Sequence, residues 1–204
     1  MSDCCGCSPD VERLQARQRR VLGIVLAINV ITFVMMLAAS LYSRSSALLS
    51  GGLDNLGDAL TYGLSLAVVG ASVRAKAKVA LVKAGLIFAA ALAVAAQVLW
   101  RVLHPAVPIL DAMTWAALAN LAANGFCLYL LTPFRHEDVN MASVWECSRN
   151  DVAEGFAVLI AAAGVGMFGS GWPDLAVATA LLLLFLRSAW RVLRASLAAL
   201  RERD

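Results

Sequence analysis

Asp54 and Asp58 are four residues apart, and so are Cys147 and Asp151. If both stretches are helical, each pair projects from one face of its helix, because positions i and i+4 stand one above the other. Three carboxylates and a thiol make a suitable four-ligand set for a tetrahedral divalent cation. Buried together without a cation, several of these groups hold protons, so metal and protons compete for one place. Other polar residues lie close by in sequence. Glu154, three residues beyond Asp151, is a candidate proton carrier or a salt-bridge partner for Arg149, and Glu146 adjoins Cys147. Asn29, Asn120 and Asn124 suit hydrogen bonds between helices, with Asn29 and Asn124 as possible neighbours of the ligand set. Met35, Met36 and Cys127 suit packing better than ligation.

The elements that must position these groups are membrane helices. The chain has 204 residues, 61% hydrophobic and 15% charged, with a net charge of +3. A soluble domain is roughly 45–50% apolar and about 25% charged. Six apolar stretches, at 21–41, 47–73, 79–103, 112–131, 140–167 and 175–193, are each about the ~20 residues that cross a hydrocarbon core. The expected fold is an all-α membrane protein with six transmembrane helices in one domain, 21–197, between tails at 1–20 and 198–204. Nucleic-acid binding, a disulfide scaffold and intrinsic disorder are excluded as classes. Five of the fourteen acidic residues, Asp54, Asp58, Glu146, Asp151 and Glu154, fall inside spans. Each costs on the order of 2.5–3.5 kcal/mol near the bilayer centre, which demands a purpose. Asp58 and Asp151 lie at matching depths in the second and fifth helices, the middle members of two three-helix halves that suit an inverted repeat. Asp111 and Asp174 stand at helix starts, where each can cap its helix.

Fourteen of the seventeen Lys and Arg residues fall on one side if the N-terminus is cytoplasmic, so both termini are placed there. The basic segment 11–20 reads as a juxtamembrane anchor on anionic lipid. Cys4, Cys5 and Cys7 put three thiols in a reducing compartment, which points to soft-metal binding rather than a disulfide. His104 and His136 fall at opposite membrane faces, so they share no site, though either could belong to a path to or from it.

The run from Ser46 to Asp58, Ser-Ala-Leu-Leu-Ser-Gly-Gly-Leu-Asp-Asn-Leu-Gly-Asp, resembles the second-helix signature of the cation diffusion facilitator family. Cys147-Ser-Arg-Asn-Asp151 falls where that family has His-x-x-x-Asp in its fifth helix. Gly171-Trp-Pro-Asp174 and Ser188-Ala-Trp-Arg191 resemble the two ends of its sixth helix. The resemblance covers about 20–197 and implies exchange of a divalent metal for protons, with Asp54, Asp58, Cys147 and Asp151 as the metal site. Two features depart from the family pattern. No cytoplasmic ferredoxin-like domain follows the helices, so a homodimer is expected to form through the membrane helices. Cys147 replaces the usual His, and a thiolate ligand favours zinc and cadmium over manganese or magnesium.

The function expected is efflux of zinc or cadmium, the transported substrate, from a bacterial cytoplasm across the inner membrane by proton antiport, with no organic cofactor and no nucleic-acid partner. The alternative is a non-transporting membrane metal sensor or accessory subunit. A membrane-embedded hydrolase is disfavoured: the sequence has neither His-Glu-x-x-His nor Gly-x-Ser-x-Gly.

Overall fold

The structure is a computed structural model that describes residues 9–67, 73–136 and 139–201. Among these residues the chain forms six α-helices: α1 Pro9–Ser43, α2 Ser46–Ala67, α3 Val73–Leu103, α4 Leu110–Leu131, α5 Val139–Phe168 and α6 Trp172–Arg201. A single 3-10 turn, Thr132–Phe134, follows α4. Three stretches combine the length and apolarity of a membrane span, Ala16–Ser43, Leu110–Phe134 and Val144–Phe168. α2 is less apolar because it carries Asp54, Asp58 and four glycines. The basic segment after Pro9, expected as part of a tail, is continuous with α1. α3 and α6 likewise run beyond their apolar stretches. The N-terminal cysteines Cys4, Cys5 and Cys7 lie outside the described residues.

Helices α1, α2, α4 and α5 form a bundle, and α3 pairs with α6 beside it. α6 also touches α2 and α5, and α3 touches α2. Exchanging the first three helices for the last three maps this pattern onto itself, except that α2 packs on α6 with no comparable α3–α5 contact among the described residues. The turn between α1 and α2 uses Arg44 at φ 60°, and Gly169 at φ 60° closes α5. The left-handed region suits the glycine without strain. The Ile109 N–H donates to the Ser43 carbonyl at 2.8 Å, which brings the start of α4 to the end of α1. A Cβ on Gly171 would fall on the Ala106 carbonyl oxygen, so only glycine fits there. The reversals at 43–46, 104–109 and 169–174 thus gather at one end of the molecule.

Glycines set the register within the bundle. A Cβ on Gly52 would lie 3.0 Å from the Met36 Cβ, and one on Gly51 would meet the Met36 and Val158 side chains at 3.4 and 3.7 Å. A Cβ on Gly155 would lie 3.0 Å from Leu121. Small residues let membrane helices approach closely, where van der Waals contact must replace a hydrophobic driving force. Met36 is fully buried by these contacts, which assigns it to packing.

Two apolar clusters fill the bundle. Met36, Leu48, Met113, Val158 and Val165 belong to the one nearer the gathered reversals. Leu22, Val25, Tyr62, Cys127, Leu131, Met141 and Val144 make the other. Between them, on all four helices, lie buried polar residues: Asn29, Asn55, Asp58, Asn120, Asn124, Ser148 and Asp151. The outward faces carry exposed apolar side chains such as Ile31, Trp115, Ile160 and Met167, as a hydrocarbon surround allows.

The capping expected of Asp111 and Asp174 is corrected. Asp111 stands in the first turn of α4, but that helix has no side-chain cap, and its N-cap position is Ile109. Asp174 caps a different helix from its own. Its Oδ1 accepts from the Ser45 hydroxyl at 2.5 Å and the Ala47 N–H at 3.1 Å, and its Oδ2 accepts from the Ser46 N–H at 2.7 Å. Only 2% of Asp174 is exposed, so its carboxylate satisfies the first amides of α2 where water cannot. Asp174→Ala should lower the unfolding free energy by about 1–3 kcal/mol, the cost of orphaning buried donors. Asp111→Ala should cost less than about 0.5 kcal/mol, as an ordinary surface change does. Denaturant titration in detergent micelles checks both, and equal losses would contradict the cross-helix cap.

Candidate cation site

α1 and α2 are joined by a tight reversal and pack together, and α4 begins where α1 ends, so α2 and α4 run opposite to α1. α5 returns against α4 and is therefore antiparallel to α2. Gly51 of α2 lies against Val158 of α5. Seven residues along α2 from Gly51 is Asp58, and seven back along α5 from Val158 is Asp151, so these two carboxylates share a level. One turn further, Tyr62 and Cys147 share the next level. Asp54 lies one turn in the other direction, level with Glu154 and Gly155. Asp58 stands twelve residues past the start of α2, about 18 Å at ~1.5 Å per residue and near the middle of its span.

Asp54, Asp58, Cys147, Asp151 and Glu154 line one cavity of about 460 Å³, together with Asn150, Ala153, Leu184 and Phe185. Its walls come from α2, α5 and α6. Asp58 and Asp151 are buried, while Asp54, Cys147 and Glu154 are half-buried at its surface. Asp151 stands close to both Asp54 and Asp58 within the cavity. Among the described residues no three His, Cys, Asp or Glu side chains stand as a closed ligand set. The acidic groups therefore share a cavity without converging on one point.

The neighbours separate into those that join the site and those that do not. Glu154 faces the cavity, and the Arg149 guanidinium lies 5.4 Å from the centre of the Trp145 ring rather than on Glu154. Glu146 is exposed and absent from the cavity wall, so its expected place beside the site is corrected: Cys147 and Asp151 occupy the inward face of α5, and Glu146 points elsewhere. Asn120 ties helices as expected, its Oδ1 accepting from the Asn55 Nδ2 at 2.8 Å. Asn29 instead donates from Nδ2 to the Val25 carbonyl of its own helix at 3.0 Å. The Oδ1 atoms of Asn29 and Asn124 are buried without a hydrogen-bond partner. Neither lines the cavity. His104 stacks on Trp100 at 3.9 Å, and His136 accepts from the Arg135 Nε at 2.9 Å, far apart as expected.

One residue escaped the sequence reading. Tyr62, 1% exposed, donates its hydroxyl to the Asp58 Oδ2 at 2.6 Å. Its spacing of four from Asp58 was visible, but an aromatic residue in an apolar helix ordinarily signals packing.

The chain matches the model of the cation efflux transmembrane domain over residues 22–201. It belongs to the cation efflux family. No curated protein sequence matches it. The family is one of transporters and not a class of enzymes, so transport of metal cations across a membrane is the activity in which the cavity has to be understood.

The cavity geometry makes a direct statement about cysteine access. With Cys4, Cys5 and Cys7 replaced by serine, Cys147 should react with a small methanethiosulfonate reagent well ahead of Cys127, which is 1% exposed. Rates followed by mass spectrometry check this, and equal reactivity would contradict the placing of Cys147 on the cavity wall.

Proposed function

We propose that this cation efflux protein expels zinc or cadmium across a bacterial inner membrane in exchange for protons. Asp54, Asp58, Cys147 and Asp151 form the mid-membrane site. The observation that supports this reading most is the level match of Asp58 with Asp151, at the centre of two antiparallel helices and on one cavity. Asp54 and Cys147 lie one turn to either side on the same wall.

The chemistry follows from charge and proximity. Carboxylates crowded in a low dielectric hold protons unless a cation balances them. A divalent ion entering from the cytoplasm displaces those protons and gathers the loosely arranged ligands around itself. Protons arriving from the opposite side then restore the carboxyls and release the ion, so a proton gradient drives efflux. Cys147 supplies a soft donor, which favours zinc and cadmium over manganese and magnesium. The basic residues are placed on the cytoplasmic side, with both termini there, and a homodimer formed through membrane helices is the proposed assembly.

Proteoliposomes loaded with a metal-sensitive dye and given a pH gradient test the proposal. Gradient-dependent zinc or cadmium flux is expected in the wild type. Asp58→Ala and Asp151→Ala should each lower it at least about ten-fold, since even outer-shell changes cost that much in metal affinity. Cys147→Ser should weaken cadmium more than it weakens zinc. Near wild-type flux in either aspartate variant refutes the site. No flux of any ion from folded protein favours a sensor or accessory subunit.

A further inference from the structure

The geometry points to Tyr62 as a residue that sets which cations the site prefers, by holding Asp58 so that it offers one oxygen rather than two. The inference rests on the proposed metal site. Its own basis is the hydrogen bond from the Tyr62 hydroxyl to the Asp58 Oδ2, 2.6 Å long and within one helix.

Two features make that bond a constraint rather than an incidental contact. Tyr62 cannot swing away, because its ring is packed among Leu22, Val25, Cys127, Leu131 and Met141 from three other helices. The residue is also level with Cys147, so the hydroxyl reaches Asp58 from the side of the thiol. A carboxylate pinned at Oδ2 by a rigid donor is not free to rotate until both oxygens chelate one ion. Coordination through a single oxygen suits a small four-coordinate cation such as zinc. Cations that take six or more oxygens, manganese and calcium among them, gain from carboxylates that can chelate. Tyr62 is thus a positioning residue that acts through Asp58.

Tyr62→Phe removes the hydroxyl and keeps the ring. The expected result is that the ratio of zinc to manganese affinity falls about five-fold, the equivalent of one ordinary hydrogen bond. It is read by equilibrium dialysis of each metal with purified full-length protein in detergent, in a Cys4→Ser, Cys5→Ser, Cys7→Ser background that leaves the tail no thiols. Tyr129→Phe, an exposed tyrosine on α4, should leave the ratio unchanged. An unchanged ratio in Tyr62→Phe, with zinc binding that Asp58→Ala abolishes, overturns this inference and leaves the metal site standing. Zinc binding that survives Asp58→Ala overturns both. If Tyr62→Phe does not fold, infrared carboxylate bands of the wild type decide the matter. Zinc should produce the wide splitting of single-oxygen coordination, and the narrow splitting of chelation at every aspartate would refute it.

Discussion

A carboxylate in hydrocarbon has to be surrounded by protein, and this constraint organises the bundle. Asp54, Asp58, Asp151 and Glu154 would each be costly on a lipid-facing surface, by several kcal/mol in total. The structure answers with a polar layer enclosed between two apolar clusters on the same four helices. The layer holds only if the helices keep their level, since a shift of one turn would bring carboxylates against Met36 or Leu131. Gly51, Gly52 and Gly155 supply that register by allowing helix backbones to come close. The glycines of α2 and α5 are therefore part of the electrostatics as much as of the packing.

The same logic explains why the cavity lies where it does. α3 and α6 pack on each other and sit against the bundle chiefly through α2. Asp174 fastens α6 to the first turn of α2 at the end where the reversals gather. Leu53, Ala91, Val94 and Leu182 add an apolar seal among α2, α3 and α6. The Ser50 hydroxyl reinforces it by donating to the Ala178 carbonyl at 3.1 Å. The cavity is bounded by α2, α5 and α6, with Leu184 and Phe185 of α6 sharing its wall with the carboxylates.

Much of this was legible in the sequence because membrane burial leaves a strong signal. Apolar runs marked six helices, and charged residues inside them marked the two that matter. The ends of the helices were less legible. Apolarity measures the thickness of hydrocarbon, whereas α1, α3 and α6 continue as helix into polar sequence that lipid headgroups and water tolerate. Asp174 illustrates a second limit. Its position near a helix start suggested a cap, but only the folded chain shows that the amides nearest its carboxylate belong to α2. Arg149 illustrates a third: a spacing that permitted an ion pair with Glu154 gave way to the face of Trp145.

The helical period also explains why α2 and α5 are not interchangeable in the site. On α2 the series Asp54, Asp58, Tyr62 advances by four at each step and places a polar group at every turn. On α5 the matching series is Cys147, Asp151, Gly155, and the glycine is taken up by Leu121 of α4. A side chain at 155 would push α4 away, so the last acidic group on α5 has to come from the neighbouring position. Glu154 occupies it and faces the cavity instead of the α4 contact. The two helices thus meet as a ladder whose middle rung pairs carboxylate with carboxylate. One flanking rung pairs a phenol with a thiol, and the other sets Asp54 level with a glutamate displaced by close packing. The Cys147 thiol thus stands toward one end of the ladder and the Glu154 carboxyl toward the other, with Asp58 and Asp151 between them.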